Sequence, residues 1–282
     1  MKASDLVASS LKLLSLPDIY IKINGLLDKP TTKSTDIADC ISLDPALCAQ
    51  MLRIANSTLY SFSTRIDTIS RAITVIGMNG VRDLVLASST IQMFSRLGNI
   101  PLDVDAFWQH SVRTAVYSRV LASECNVIRT EPYFISGILH HIGRLLIATK
   151  IPEMSRQASM VPRAEGVSSS HVEEKLFGFN HATVGGILLR KWNLPLHVCD
   201  AVEYHHSPQT AQDSPMSAAI VHIASILAGG GEKLSEQLSL DQEIADEAWE
   251  ISSKTPQIIQ EISELAEEQC KVALQLFLSK AA

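Results

Sequence analysis

Nine histidines hold most of the chemical capacity of this sequence, and all of them lie between residues 110 and 222. Seven stand in apolar, helix-patterned segments: His110, His140, His141, His181, His205, His206 and His222. Neutral imidazole binds borderline divalent metals well, and facing helices of a bundle are a common way to bring several imidazoles together. A carboxylate usually completes such a site when the metal hydrolyses a bond, because it offsets charge and orients the attacking water. Glu203 and Asp200 are acidic residues that such a site could recruit. His171 and His197 are expected to be surface or packing residues.

Spacing sorts the seven further. Neighbouring residues on a helix diverge by about 100°. His140 is therefore expected to face a shared site and His141 to flank it. His205 and His206 precede Ser207-Pro208 at a predicted helix end. A histidine there either complements the helix dipole or serves as a ligand. His222 and Ser225 are three residues apart, share a helix face and are placed to meet each other.

The elements that must position these residues are helical almost throughout. Asp44 is a good N-cap and Pro45 a good first residue for a helix that carries Leu47, Met51 and Ile54 on one face. Asn79-Gly80 is read as a break before a helix running towards Leu97. Further helices are expected at 103–124, as one long apolar element at 133–150, at 171–177, 181–192, 195–206 and 216–227, and from about Pro256 onwards. The stretch 151–170 reads as looser, Gly229-Gly230-Gly231 as a stop, and 241–250 as acidic. No alternating strand pattern occurs. The result is an all-α, multi-helix bundle with a composition shift at 97–102, divided into residues 1–100, 101–230 and a C-terminal extension at 231–282.

Composition excludes several classes of function. The chain has 282 residues, 46% of them hydrophobic and 19% charged, which is globular. No apolar run approaches the ~20 residues of a membrane helix, and no export signal is recognisable at the N-terminus. A net charge of -6 makes nucleic acid a poor default partner. Five widely spaced cysteines read as reduced thiols of a cytoplasmic protein. Arg53, Arg65, Arg71 and Arg82 make a basic accent in the N-terminal half, suited to solvated helix faces or to an anionic ligand.

The middle of the chain resembles the HD superfamily of metal-dependent phosphohydrolases. The resemblance rests on Phe107 to Ser111, Gly137 to Leu145, Asn180 to Gly185, Tyr204 to His206 and Ile220 to Leu227. The N-terminal half, through Asp44 to Leu47, Leu52 to Ser57, Ile69 to Ile73 and Ile76 to Val85, resembles the HD-related output domain, HDOD. Together these cover roughly residues 10–230. They imply an N-terminal helical subdomain packed on an HD-like helical domain. The metal ligands that the resemblance implies are His110, His140, His181 and His205. His141 and Ser225 stand where the superfamily carries its two aspartates, so the implied site is vestigial or weak.

A non-catalytic bacterial signalling module follows as the expectation. It would act through a protein partner, with a nucleotide as a further ligand, and it could form a homodimer. No cofactor is required; a divalent Fe, Zn, Ni or Mn ion is the one the ligands would take. The alternative is a divergent metal-dependent phosphohydrolase. The ends of the chain are too short for a fused receiver domain, so a stand-alone module is expected.

Overall fold

In the computed structural model the described residues are 1–10, 15–60, 62, 64–95, 100–161, 168–230 and 244–278. All regular structure among them is helical. The chain forms two compact units. One comprises Met1–Ser15 and Leu97–Ala266, the other Leu16–Arg96 and Glu267–Ala282.

The smaller unit holds α2 (Asp18–Leu27), α3 (Ser34–Ser42), α4 (Pro45–Ala55), α5 (Ile69–Ile76) and α6 (Met78–Ser95). Asp44 caps α4 as the sequence predicts, accepting from the amides of Ala46 and Leu47, with Pro45 at the first helical position. The break after α5 falls at Gly77, two residues before the expected Asn79-Gly80. Gly77 adopts φ 86°, a left-handed conformation that glycine tolerates, and α6 starts at the next residue. Ile66, Ala55 and Ala72 form a small core with Leu52 and Ile76, which seats the loop between α4 and α5.

The larger unit holds α1 (Ala3–Ala8), α7 (Val104–Glu124), α8 (Glu131–Leu139), α9 (Ile142–Lys150), α10 (Pro152–Met160), α11 (Ser169–Phe177), α12 (His181–Lys191), α13 (Leu196–Glu203), α14 (Pro215–Gly230) and α15 (Asp246–Ser252). α16 (Ile258–Leu278) begins in this unit and ends in the other. The units are thus discontinuous, unlike the division into 1–100, 101–230 and 231–282. Leu6 and Val7 bury α1 against α9 and α12, and α15 packs on α14. The triglycine stop and the start of the acidic segment lie partly outside the described residues. Pro152 starts α10 inside the stretch read as looser.

The expected long helix at 133–150 is two helices. α8 ends at Leu139, and His141 has φ -103° and ψ 11°, outside helical geometry. The ring Nδ1 of His140 lies 2.7 Å from the Gly137 carbonyl oxygen, the acceptor an uninterrupted helix would offer to the His141 amide. A side chain thus engages that carbonyl where the two helices part, and no proline stands at the break.

Two glycines allow the helices to approach one another closely. A Cβ on Gly137 of α8 would lie 2.4 Å from the Ala115 Cα of α7. A Cβ on Gly143 of α9 would lie 2.0 Å from the His181 carbonyl oxygen at the start of α12. Both obstacles are backbone, so the helices themselves would have to part. Gly143→Ala is therefore expected to lower stability by about 1–3 kcal/mol or more, read as a drop in the urea midpoint. Gly25→Ala in α2, with nothing within 4 Å of the added methyl, should be neutral or stabilising. Equal midpoints for the two variants would contradict the close crossing.

A candidate metal centre of converging histidines

The two tight crossings determine where the histidines go. α7 carries His110 one turn from the Gly137–Ala115 contact, and α8 carries His140 one turn beyond it on its own side. Their ring centroids are 5.2 Å apart. The break after His140 turns His141 the same way, so the two adjacent rings lie 3.7 Å apart and both enter the site. His141 therefore does not flank the site: it stacks 5.1 Å from His110 and meets His181 edge-on at 4.7 Å. The argument from helical divergence fails because the backbone at His141 is not helical.

Six imidazoles converge in two groups that share His141. One is His110, His140 and His141; the other is His141, His181, His205 and His206. Within each group the ring nitrogens lie within 4.8 Å of one another. The four residues implied by family resemblance are all present, two in each group. His206, for which both a capping role and a ligand role stood open, directs Nε2 to within 3.0 Å of His181 Nε2.

The second nitrogen of each ring shows which lone pairs are available. His140 Nδ1 donates to the Gly137 carbonyl, and His205 Nδ1 donates to the Val202 carbonyl at 2.8 Å. A carbonyl accepts only, so the proton sits on Nδ1 and Nε2 carries the lone pair. His181 Nδ1 lies 2.6 Å from Glu173 Oε2, which also accepts from the His181 amide at 2.7 Å. Arg144 Nε is 3.4 Å from the same Nδ1, but the shorter carboxylate contact assigns the proton to the ring. Arg144 reaches Ser169 and pairs with Glu173 Oε1 at 3.9 Å. Three rings thus aim Nε2 lone pairs inward, the arrangement in which an outer acceptor orients a metal-binding imidazole.

Ser225 on α14 places Oγ 3.3 Å from His110 Nε2 and 3.2 Å from His140 Nε2. His222 does not meet Ser225. Its Nδ1 donates to the His205 carbonyl at 2.7 Å and its Nε2 accepts from the Ala245 amide at 3.1 Å, so both nitrogens are satisfied. It positions His205 and is no ligand. Asp200 and Glu203 are engaged elsewhere: both pair with Arg190, and Asp200 accepts from the amides of Asp213 and Ser214. The carboxylate at the site is Glu173, which sequence reasoning passed over. Its place on α11, eight residues before His181, carries no motif; only folding brings it under that ring. His171 is exposed, as expected.

The donor set fits a metal. His205 Nε2 is buried with no hydrogen-bond partner among the described residues, and a buried lone pair left unmatched is costly unless something binds it. Burial also holds the imidazoles neutral, the form that ligates. It pushes His110 down to about 4, with Arg144 and Arg113 adding to the effect. It drives His140, His141, His181, His205 and His206 well below the usual imidazole range. The same burial raises the Glu173 carboxyl, against the pull of Arg144 and the His181 amide. Four imidazoles of the second group could complete a tetrahedral site for a borderline divalent ion. His141 belongs to both groups but has one lone pair to give, so the residues fit one ion better than two.

Comparison with known proteins follows the same lines. A family model described as HDOD domain matches residues 13–208. An uncharacterised protein of Treponema pallidum (strain Nichols) is 24% identical over 194 residues, covering 68% of this chain and 37% of that protein. The chain thus spans little more than a third of that relative's length. Among solved structures, an HDOD domain protein of unknown function from Geobacter sulfurreducens matches with TM-score 0.79 and 23% identity over 98% of both chains. A Shewanella amazonensis protein provisionally named a phosphohydrolase gives TM-score 0.75 and 22% identity, over 96% of this chain and 98% of that one. A Marinobacter aquaeolei protein provisionally named for signal transduction gives 0.70 and 19%, over 95% of this chain and 60% of that one. At these identities the solved structures establish a shared fold.

The protonation of the buried rings has a measurable consequence. Seven histidines, including His222, have folded-state values below the ordinary 6.5. The unfolded chain then binds more protons as pH falls below 6.5, so stability rises with pH in that window. Glu173, raised by burial, acts in the opposite sense but is one group against seven. In chelator-treated protein, stability should be fully present above about pH 6.5 and be lost progressively towards pH 4. Urea midpoints at pH 7, 6 and 5 check this: a steady fall is expected, and a flat or rising series contradicts neutral, buried rings.

Proposed function

The chain belongs to the HDOD family, and from that premise we propose that it is a non-catalytic signal-transduction module whose histidine centre holds one divalent transition metal. It acts by binding, with a signalling protein as its partner, in the bacterial cytoplasm. Two further features agree with that setting. No helix among the described residues is long and apolar enough to cross a membrane, and no disulfide joins the described cysteines.

The observation that carries the proposal is the chemistry of the donor set. Both groups of candidate ligands are made of histidine alone. Hydrolysis by a metal pair relies on a carboxylate to bridge the ions and orient hydroxide. At the two places where family resemblance calls for aspartate, the sequence carries His141 and Ser225. Glu173 is held behind His181 by two N–H donors. His141, His181, His205 and His206 would hold a metal by four imidazoles, which leaves no open position for water and is the composition of a structural or sensing site. A bound ion would supply cross-linking of α9, α12 and the segment after α13, and the residues around it would do no proton transfer.

The second reading, a divergent phosphohydrolase, draws on the other group. His110, His140 and His141 are three imidazoles, and the Ser225 hydroxyl lies beside two of them. Three ligands leave a fourth position that water could take.

The two readings separate in one assay. Purified chain supplied with Mn, Fe, Ni or Zn is expected to hydrolyse aryl phosphate mono- and diesters no faster than the metal alone. Metal-dependent turnover that disappears in His140→Ala would overturn the proposal and establish the second reading. On metal affinity, His205→Ala removes a ligand and is expected to cost at least the about 10–100-fold seen when an outer partner of a ligand is lost, measured by competition with a chromogenic chelator.

A further inference from the structure

The smaller unit carries an open pocket that the histidine centre does not account for. It measures about 710 Å³ and is lined by Leu52, Arg53, Asn56, Phe62, Arg65, Ile66 and Asp67. That volume is in the range of sites for small organic ligands. Its charge is unusual for this chain. From residue 53 to residue 82 there are four arginines, one aspartate, no lysine and no glutamate, while the whole chain has net charge -6.

Two of those arginines are committed to the fold. Arg71 donates to Thr64 Oγ1 at 3.0 Å, and Arg82 pairs with its neighbour Asp83 at 2.7 Å. The other two, Arg53 in the last turn of α4 and Arg65 in the following loop, line the pocket. Neither takes part in an ion pair or side-chain hydrogen bond among the described residues. Arginine's planar fork matches the oxygens of a phosphate in a way that an ammonium does not.

The same pocket is lined by an aromatic ring. Phe62 is 38% exposed and stacks on Tyr60 with ring centroids 6.1 Å apart and planes 12° from parallel. An exposed aromatic ring beside guanidinium groups suits a flat, electron-rich ring system bearing phosphate. Asp67, which also lines the pocket, offers an acceptor for ring or exocyclic N–H groups. The wall is fixed in place. Asn56 at the end of α4 donates from Nδ2 to the Ile66 carbonyl at 2.7 Å and accepts at Oδ1 from the Ile66 amide at 2.8 Å. This two-way clasp, with Ile66 buried, ties the segment that carries Arg65 and Asp67 to the end of α4, which carries Arg53.

We propose that this pocket is a binding site for a purine nucleotide, with Arg53 and Arg65 on the phosphate, Phe62 against the base and Asp67 on its edge. The proposal deepens the reading of the chain as a binding module by naming a ligand class. It concerns a site in the smaller unit, apart from the histidines.

Isothermal titration of the full chain with GMP, AMP, guanosine, inorganic phosphate and a Glu-rich peptide tests it. At least one nucleotide should bind saturably, and at least about tenfold more tightly than inorganic phosphate or the bare nucleoside. Arg53→Gln and Arg65→Gln should each weaken it by about tenfold or more, and Phe62→Leu should weaken it without changing the thermal midpoint. His140→Ala should leave nucleotide binding unchanged, so a failed metal centre and a failed nucleotide site are told apart. The proposal is overturned if neither nucleotide binds, if both arginine variants bind as the parent does, or if the acidic peptide binds while the nucleotides do not.

Discussion

The histidine centre depends on how closely helix backbones can approach. α8 lies against α7 where Gly137 meets Ala115, and α9 lies against the start of α12 where Gly143 meets the His181 carbonyl. At either place even a methyl group would collide with backbone. α12 approaches α13 in a similar way, where a Cβ on Gly186 would fall 2.5 Å from the Glu203 Cβ. These contacts reduce helix spacing to a distance that short imidazole side chains can bridge. His110, His140, His141, His181, His205 and His206 therefore meet, although five different helices and helix ends supply them. The glycines are a condition for the site as much as the histidines are.

Electrostatics then decides what the site can do. An imidazole removed from water loses its proton readily, because the charged form is the one that needs solvation. Packing several such rings together strengthens the effect, since each protonated ring would repel the others. The centre is thereby kept as a set of neutral lone-pair donors, with outer protons directed at the Gly137 and Val202 carbonyls and at Glu173. What it lacks is negative charge in the inner layer. A carboxylate at His141 or Ser225 would lower the electrophilicity of a bound ion and could hold a hydroxide in place. Neutral imidazoles leave the charge of a bound ion undiminished and supply no acceptor to orient a hydroxide.

Much of this was legible in the sequence, and the rest was lost for definite reasons. The all-α class, the cap at Asp44-Pro45 and the family resemblance follow from local patterns, and local patterns survive folding. The break between His140 and His141 does not, because no proline marks it and the contact that accompanies it, His140 Nδ1 on the Gly137 carbonyl, appears only in the folded chain. That single event turned His141 from an expected neighbour into the residue common to both ligand groups. Glu173 was invisible because its partner is a ring eight residues away across a turn. Asp200 and Glu203 looked available, but Arg190, on a helix with no sequence link to them, claims both. The discontinuity of the two units was likewise hidden, since α1 is too short to announce that it packs beside α9 and α12.

The central claim is that imidazoles alone hold one metal ion in this fold. Elemental analysis of chain purified without a histidine tag, combined with X-ray absorption at the edge of whichever metal is found, tests it directly. The expected result is close to one Fe, Zn, Ni or Mn per chain, with a first shell dominated by imidazole nitrogen, and loss of that metal in His141→Ala. No metal retained even after the four ions are supplied in turn would contradict the account, as would a shell dominated by carboxylate oxygen.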